Sequence, residues 1–518
     1  MLSERLMRVR PDVARAGLAR RHADAETLAA FDAWLALDAE RRAVATRYDA
    51  LASAHQRRSP PAPVAPPAPV APPAPVAPPA PVAPPAPVAP PAPVASPMPS
   101  PMPSPANGIS APATPDAAGA GYADRVIHAG PTGAPSAGFV GATSAAGDER
   151  AALAEARRAM AAIEARMRPL ALRLPNLPDA RVPDGADARA NVELRRWGEL
   201  PVFPFTPLSH EELGVRLGIL DMTRATRLAG PRFPLLMGVG ARLARALAAL
   251  MLDLHHACGY VEVAPPHLLR AATLEGTSHL PRHQDDLFAV PRDGLYLSPT
   301  AEAQLVALHA GETLPERALP LAYTAHTPAF RRESSTGNAQ SHGLIRQRQF
   351  DKVEIVRVAT PEGADAAFET LLADAEAVLQ RLALPYRVVM LCAGDLPFSA
   401  QRTYDLEVWM AGQPAADGGA GSDVPRGRYV EVASISDCGP FQARRLNMRY
   451  QPTGAAATRY PHTLNASALA IGRTLAALLE NNQRADGSVA LPDALAPYLA
   501  ERELPPPPAP PPQGEGGS

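Results

Sequence analysis

The sequence predicts an α+β fold: a mixed, largely antiparallel sheet flanked by helices, preceded by an antiparallel helical hairpin that a proline-rich insertion interrupts. Three observations carry this reading. From about 185 to 500, short β-rich runs (YVEVAPP, LYLSP, KVEIVRV, YRVVML, GRYVEVAS) are interrupted at irregular intervals by helical stretches at 240–257, 361–384 and 473–482, the texture of an α+β domain. Two narrow apolar stripes lie upstream, far apart in sequence. The prolines are clustered: of 62, residues 60–105 hold 23 and residues 505–512 hold seven, and the other 32 are spread at close to ordinary usage.

From the N-terminus, residues 1–58 read as helical. A 4-3 alternation runs through Ala30, Trp34, Leu37, Arg41, Val44, Tyr48, Leu51 and His55, a coiled-coil seam with one charged break. Residues 148–174 repeat it through Leu153, Ala156, Met160, Ile163, Met167 and Leu170. Each stripe is too narrow to make a core alone, so the two helices are expected to pair antiparallel. Arg41, Arg42, Arg47, Arg57 and Arg58 on the first, with Arg157, Arg158, Arg166 and Arg168 on the second, form either a solvated charged face or a set of phosphate contacts. Between the helices, 59–147 opens with six-fold PPAPVA and passes through SPMPSPMPSP into a Gly/Ala/Ser-rich run. Proline at nearly every second position removes amide donors and disfavours α conformation in its predecessor, so this insertion is expected to be disordered with polyproline II character. Residues 175–500 would form the main domain and 501–518 a disordered tail.

Composition sets limits. With 50 basic and 52 acidic residues the formal charge is −2, so no bulk field draws the chain to nucleic acid or membrane. Every basic residue but Lys352 is arginine, which with the abundant alanine and proline points to GC-rich coding DNA. Cys258, Cys392 and Cys438 lie far apart without a CxxC; this fits a reducing compartment, and no zinc is expected. MLSERLMRVR has no apolar h-region, and no run approaches 18 apolar residues. The expectation is a soluble cytoplasmic protein with no membrane partner.

No GxxxxGK[ST] or GxGxxG phosphate loop is present. The candidates for chemistry are polar residues set in apolar strands. TPAFRRE (327–333) puts Arg331 and Glu333 two apart, on one face of a strand. A polar loop then leads to GLIRQRQF (343–350) and DKVE (351–354). This reads as a hairpin presenting Arg331, Glu333, Arg346, Phe350 and Glu354 on a common floor, or as an exposed hairpin with cross-strand ion pairs. YVEVAS places Glu431 and Ser434 at the end of an apolar strand, and HTLNASALAIGR ends a small apolar run in Arg473. An arginine buried there needs an anionic partner, which an internal carboxylate or a phosphate would supply.

These segments resemble the seryl-tRNA synthetases of bacterial type, which are class II aminoacyl-tRNA synthetases. TPAFRRE with GLIRQRQFDKVE is similar to the family's motif 2, LNASALAIGRT to motif 3, GYVEVAPPHLL to motif 1, and SPTAE to the serine-binding loop. LPNLPDARVPDG, NVELRRWGE, TYDLEVW and FQARRLNMRY resemble the family between these points, so the likeness covers about 1–58 and 148–500. It implies the class II antiparallel sheet, a tRNA-binding helical arm, and a homodimer built through the motif 1 region. The substrates implied are L-serine, ATP and tRNA(Ser), with tRNA(Sec) a further candidate, and Mg²⁺ accompanies ATP. The resemblance also assigns roles. Arg331 would neutralise the α-phosphate as serine's carboxylate attacks it, and Arg473 would hold the γ-phosphate. Glu333 would accept the adenine amino group, with Phe350 stacked on the ring opposite Arg473. Arg332, Arg346, Val432 and Ala433 would complete the nucleotide site, with Glu431 and Ser434 as oxygen ligands to Mg²⁺. Thr300, Ala301, Glu302, Arg331, Glu354, Asn465 and Ser467 would form the serine pocket. Such a pocket, bonded to the substrate hydroxyl, rejects alanine by as much as about 10⁴-fold.

The sequence departs from the family where tRNA is handled. The second arm helix is short and the arm tip is replaced by the insertion. The motif 2 loop reads SSTGNAQSH, where the family usually begins Ala-Gly and contains Arg-Asp. Arg348 stands where histidine is common, SISDCGPFQ replaces a SCSNC-type run, and PAADGGAGSDVPRG (414–427) lengthens the loop before Glu431. None of these removes a residue implied for serine activation. Two other readings stay open: a paralogue that forms seryl-adenylate for a non-tRNA acceptor, and a catalytically silent regulator.

Overall fold

A computed structural model of the chain describes residues 1–58, 140–334, 343–414 and 427–506. The PPAPVA repeat, the SSTGNAQSH loop beyond Ser334, the 414–427 insertion between its end residues, and everything from 507 lie outside the described residues. The chain divides into two units, one of residues 1–48 with 155–518 and one of residues 49–154. The candidate site belongs to the first.

The N-terminal segment is three helices, not one: α1 (Glu4–Val9), α2 (Pro11–Arg20) and α3 (Ala25–Arg58). Pro11 opens α2, where a missing amide costs nothing, and the Asp24 carboxylate caps the next start by accepting from the Thr27 amide at 2.7 Å. The second arm helix, α4 (Val140–Leu172), begins ahead of the expected residue 148, since VGATSAAG contains no proline to prevent it. Within the first unit α3 and α4 run antiparallel, as the partners show: Glu26 with Arg173, Glu40 with Arg166, Arg41 with Glu164, Tyr48 with Arg157. Their seam buries Phe31, Trp34, Ile163 and Met167, and α1 and α2 close it with Met7 and Leu18. In the second unit His55 and Glu149 meet at 3.4 Å. Most arm arginines named above are already engaged: Arg41 and Arg42 with Asp38, Arg166 with Glu40, Arg168 with Glu275. Arg47 and Arg158 are exposed and, among the described residues, join no ion pair.

The main sheet has eight strands: β1 (Val192–Trp197), β2 (Val261–Glu262), β3 (Leu321–Phe330), β4 (Gln349–Ala359), β5 (Tyr386–Met390), β6 (Arg402–Met410), β7 (Arg428–Asp437) and β8 (His462–Ala470). Their spatial order is β1-β5-β6-β7-β8-β4-β3-β2. The pairs are antiparallel except β2 with β3. One face is apolar and covered by α6 (Val239–Ala257), α8 (Ala364–Arg381) and α10 (Ile471–Asn481). Period-two alternation decides which side chains go there. In β4, Val353 and Ile355 join that core while Glu354 and Val356 face the other way; in β8, Leu464, Ala466 and Ala468 join it while Asn465 and Ser467 oppose. The apolar run NASALA is thus a strand with a dry face and a polar one.

Three further expectations are corrected. Residues 343–348 form a turn, not a strand, and β4 starts only at Gln349. Arg331 and Glu333 lie just past the end of β3, with Glu333 at φ 51 in the left-handed region, so their alignment does not come from strand geometry. The tail also starts later than 501: Glu503 and Leu504 pair with Ala490 and Val489, and Leu504 is buried in the main core.

Candidate active site

On the polar face of the sheet lies an open cleft of about 180 Å³, lined by Arg331, Glu333, Arg346, Phe350, Lys352, Glu431, Ser467 and Arg473 among others. Arg331 sits 5.2 Å over the Phe350 ring and donates through Nε to the Pro299 carbonyl at 3.3 Å. Arg346 Nε pairs with Glu333 at 3.1 Å. Arg473 opens α10; it donates to the carbonyls of Ile345 (3.0 Å) and Glu431 (2.6 Å), with the Glu431 carboxylate at 3.5 Å. The anionic partner that Arg473 requires is therefore supplied inside the chain, and its guanidinium still borders the cleft. Arg332 turns away: its side chain is exposed and outside the cleft lining, and only its amide is engaged, with the Asp286 carbonyl. Ala433 also points away, into the apolar core, whereas Val432 lines the cleft.

Adjoining the cleft is a buried polar cluster centred on Glu354, fully shielded from solvent, whose Lys352 and Ser467 line the cleft. Glu354 forms an ion pair with Lys352 and accepts from Asn465 Nδ2 at 3.3 Å and the Thr300 hydroxyl at 3.4 Å. Lys352 also donates to the Ser467 hydroxyl at 3.2 Å. Thr300 caps α7 (Ala301–Ala307), accepting from the Glu302 amide at 3.2 Å; Ala301 contributes only backbone, its methyl being buried. Gln442, on the short helix α9 (Phe441–Leu446), donates to Glu302 at 2.7 Å. Burial first, and the nearby charge of Glu354 second, push the Glu302 carboxyl up to about 7.

Glu431 and Ser434 are three apart on β7, a spacing that ordinarily puts side chains on opposite faces. A β-bulge reverses the phase: Glu431 pairs with Glu407 and Ser434 with Asp405, so both share the polar face. Asp405 is cross-paired with Ser434, and burial followed by the Glu431 charge raises its pKa well above the usual range. Its Oδ1 is shielded from water and, among the described residues, has no hydrogen-bond partner.

Residues 288–482 match the class II core domain model of the synthetases for Gly, His, Pro, Ser and Thr. The serine--tRNA ligase of Synechococcus elongatus is 49% identical over 330 residues, which is 64% of this chain and 74% of that protein. That of Sorangium cellulosum is 48% identical over 352 residues, 67% and 78% of the two chains. The chain belongs to the serine--tRNA ligase family. A crystal structure of seryl-tRNA synthetase from Pyrococcus horikoshii complexed with ATP is similar in fold, with a TM-score of 0.76 at 27% identity over 98% of this chain and 100% of that one. The sheet described above is thus the class II synthetase fold. No helix among the described residues is long and apolar enough to cross a membrane.

Within this serine--tRNA ligase family member, three site residues lie inside segments that resemble the family but have no role assigned by that resemblance: Lys352 in DKVE, Asp405 in TYDLEVW and Gln442 in FQARRLNMRY. Lys352 shares a strand face with Glu354 and was detectable as the chain's sole lysine. Asp405 had a weaker signal, an acid two residues from Glu407 and so on the same face of its strand. The role of Gln442 could not be read from its segment, because its bond to Glu302 spans 140 residues.

Proposed function

We propose that the chain activates L-serine with ATP and transfers the seryl group to tRNA(Ser). The observation that carries this is the juxtaposition of a buried Glu354–Lys352–Asn465–Thr300 cluster with an arginine-lined cleft that Lys352 and Ser467 also line. Such a pocket suits a small zwitterion. Glu302 and Glu354 would receive serine's ammonium group and hydroxyl, Asn465 and Ser467 would complete the enclosure, and Arg331 with Lys352 would meet the carboxylate. Arg331 lies between pocket and cleft. It would neutralise the carboxylate and the α-phosphate as one carboxylate oxygen bonds to phosphorus and pyrophosphate departs. Phe350 offers a ring face for adenine, Glu333 and Arg346 its polar edge, and Arg473 the γ-phosphate.

A divalent cation fits beside this cleft. Glu431 and Ser434 present oxygens from one face, and the unpartnered Asp405 oxygen next to them is the feature expected where a hard cation belongs. Mg²⁺ held by Glu431 and Ser434 would supply charge neutralisation across the triphosphate. Exposed Val261 and Leu268 in the motif 1 segment suit a subunit contact in a homodimer.

For transfer to tRNA, Arg47 and Arg158 are two exposed arm cations available for phosphates. Replacing both with alanine should weaken tRNA binding and reduce its logarithmic salt slope by roughly 2. Serine-dependent pyrophosphate–ATP exchange tests activation; its absence refutes the reading. Labelled serine offered to tRNA(Ser) and tRNA(Sec) then tests transfer. Exchange without charging of either would favour the paralogue with a non-tRNA acceptor.

A further inference from the structure

One buried polar cluster takes no part in the chemistry above yet adjoins it. His210, at the start of the helix α5 (His210–Arg216), is buried with Glu480 near the end of α10 and with Gln413. One Glu480 oxygen accepts from the His210 amide (3.0 Å), His210 Nδ1 (2.7 Å) and Gln413 Nε2 (2.6 Å); the other accepts from the Gly412 amide at 2.9 Å. Four donors on a carboxylate removed from water fix its position. On the far side of the ring, His210 Nε2 lies 3.0 Å from the Leu344 amide. A backbone N–H can only donate, so Nε2 must offer its lone pair and the ring proton must sit on Nδ1, facing Glu480.

The imidazole thus bridges a fixed carboxylate to the 343–348 turn. Gly343 begins that turn at φ 63, and a Cβ there would lie 2.4 Å from His210 Nε2, so glycine is required twice over. Downstream, the Ile345 carbonyl aims Arg473, Arg346 meets Glu333, and Gln347 closes back onto the Leu344 carbonyl at 2.7 Å. Where His210 holds Leu344 decides where these groups stand.

We propose that His210, locked by Glu480, is a positioning residue for the nucleotide side of the site: it anchors the Leu344 amide and so presets the turn that orients Arg473 and Arg346 toward a triphosphate. This rests on the reading of the cleft as an ATP site. Two substitutions separate the two ends of the bridge. His210→Asn keeps a donor near Nδ1 and cannot reach Leu344; His210→Gln places an acceptor near Nε2. Amide hydrogen exchange over 343–348 is measured in the free protein, and KM for ATP and serine in pyrophosphate exchange. His210→Asn should speed exchange at Leu344 and raise the ATP KM, each about tenfold, with kcat and the serine KM within about twofold; His210→Gln should recover most of both. Parental protection of Leu344 in His210→Asn, or no recovery in His210→Gln, would overturn the proposal. If His210→Asn does not fold, Gly343→Ala gives the same readouts by pushing a methyl into Nε2 while leaving the Glu480 bonds in place, and an unchanged ATP KM there also overturns it. Should the parent protein show no serine-dependent exchange, the ATP reading fails, while the hydrogen-exchange comparison still decides the anchoring.

Discussion

The pocket around Glu354 and the cleft beside it are built by different means. The pocket stands on strands: Lys352 and Glu354 from β4, Asn465 and Ser467 from β8, directly cross-paired as Ser467 with Glu354. Its groups are matched to one another in the free protein, a carboxylate with an ammonium and two neutral donors. The cleft stands on segment ends and a turn. Arg331 and Glu333 follow the end of β3, Arg346 sits in 343–348, and Arg473 opens α10. Two of its arginines, Arg331 and Arg473, donate to backbone carbonyls, Arg473 with the Glu431 carboxylate also at 3.5 Å, and Arg346 pairs with Glu333. A rigid, self-satisfied pocket suits recognition of one small molecule. A half-exposed cleft of arginines held on segment ends suits a polyanion that arrives and leaves.

The difference is open to attack at several points. The largest effect is expected where the two regions join. Arg331→Ala should lower pyrophosphate exchange by about 10³-fold, since it removes the group facing both anions, with little change in melting temperature because Arg331 is only partly buried. In the pocket the reverse pattern is expected, binding and folding failing together. Glu354→Gln leaves Lys352 buried beside a neutral amide, and losing one member of a buried pair costs roughly 3–5 kcal/mol. Thermal unfolding should therefore shift markedly downward as the serine KM rises; an unchanged melting temperature would show that the pair is not a structural element.

A smaller effect follows from Glu302, whose carboxyl burial and the charge of Glu354 push up to about 7. Below that pH it is neutral and cannot pair with serine's ammonium group, so the serine KM should fall several-fold between pH 6 and pH 8, a trend that Glu302→Gln should abolish. The sign for folding is opposite. A carboxyl raised in the folded state loses stability as pH climbs from its ordinary value toward 7, and the Gln variant should escape that loss. The smallest effect is expected from deleting 60–105, which touches neither region: exchange should stay within about twofold of the parent, and a large loss would mean the repeat acts on the site.

How much of this was legible depends on the element. Helix α6 was expected at 240–257 and is found at Val239–Ala257, because an amphipathic helix states its period over many residues. The hairpin expected from 343 was wrong because GLIRQRQ carries apolar and polar residues in an order that suits a strand, while its hydrogen bonds go to His210 and Arg473. Arg332 and Ala433 fell inside motif-like segments but face away from the cleft, and adjacency in sequence could not reveal that.

The sequence alone determined the family, through the resemblance of its motifs, and the paired arm helices, the helix α6 and the place of Glu354 on a strand, through hydrophobic periodicity. Tertiary structure decided the rest. A bulge in β7 brings Glu431 and Ser434 onto one face, against the ordinary phase of a strand. Glu333 is held in a left-handed conformation that no propensity favours. A histidine 134 residues upstream sets the turn that supports Arg473. The physical reason is the same in each case: periodicity records which side of an element is buried, whereas the partner waiting there depends on segments that only folding brings together.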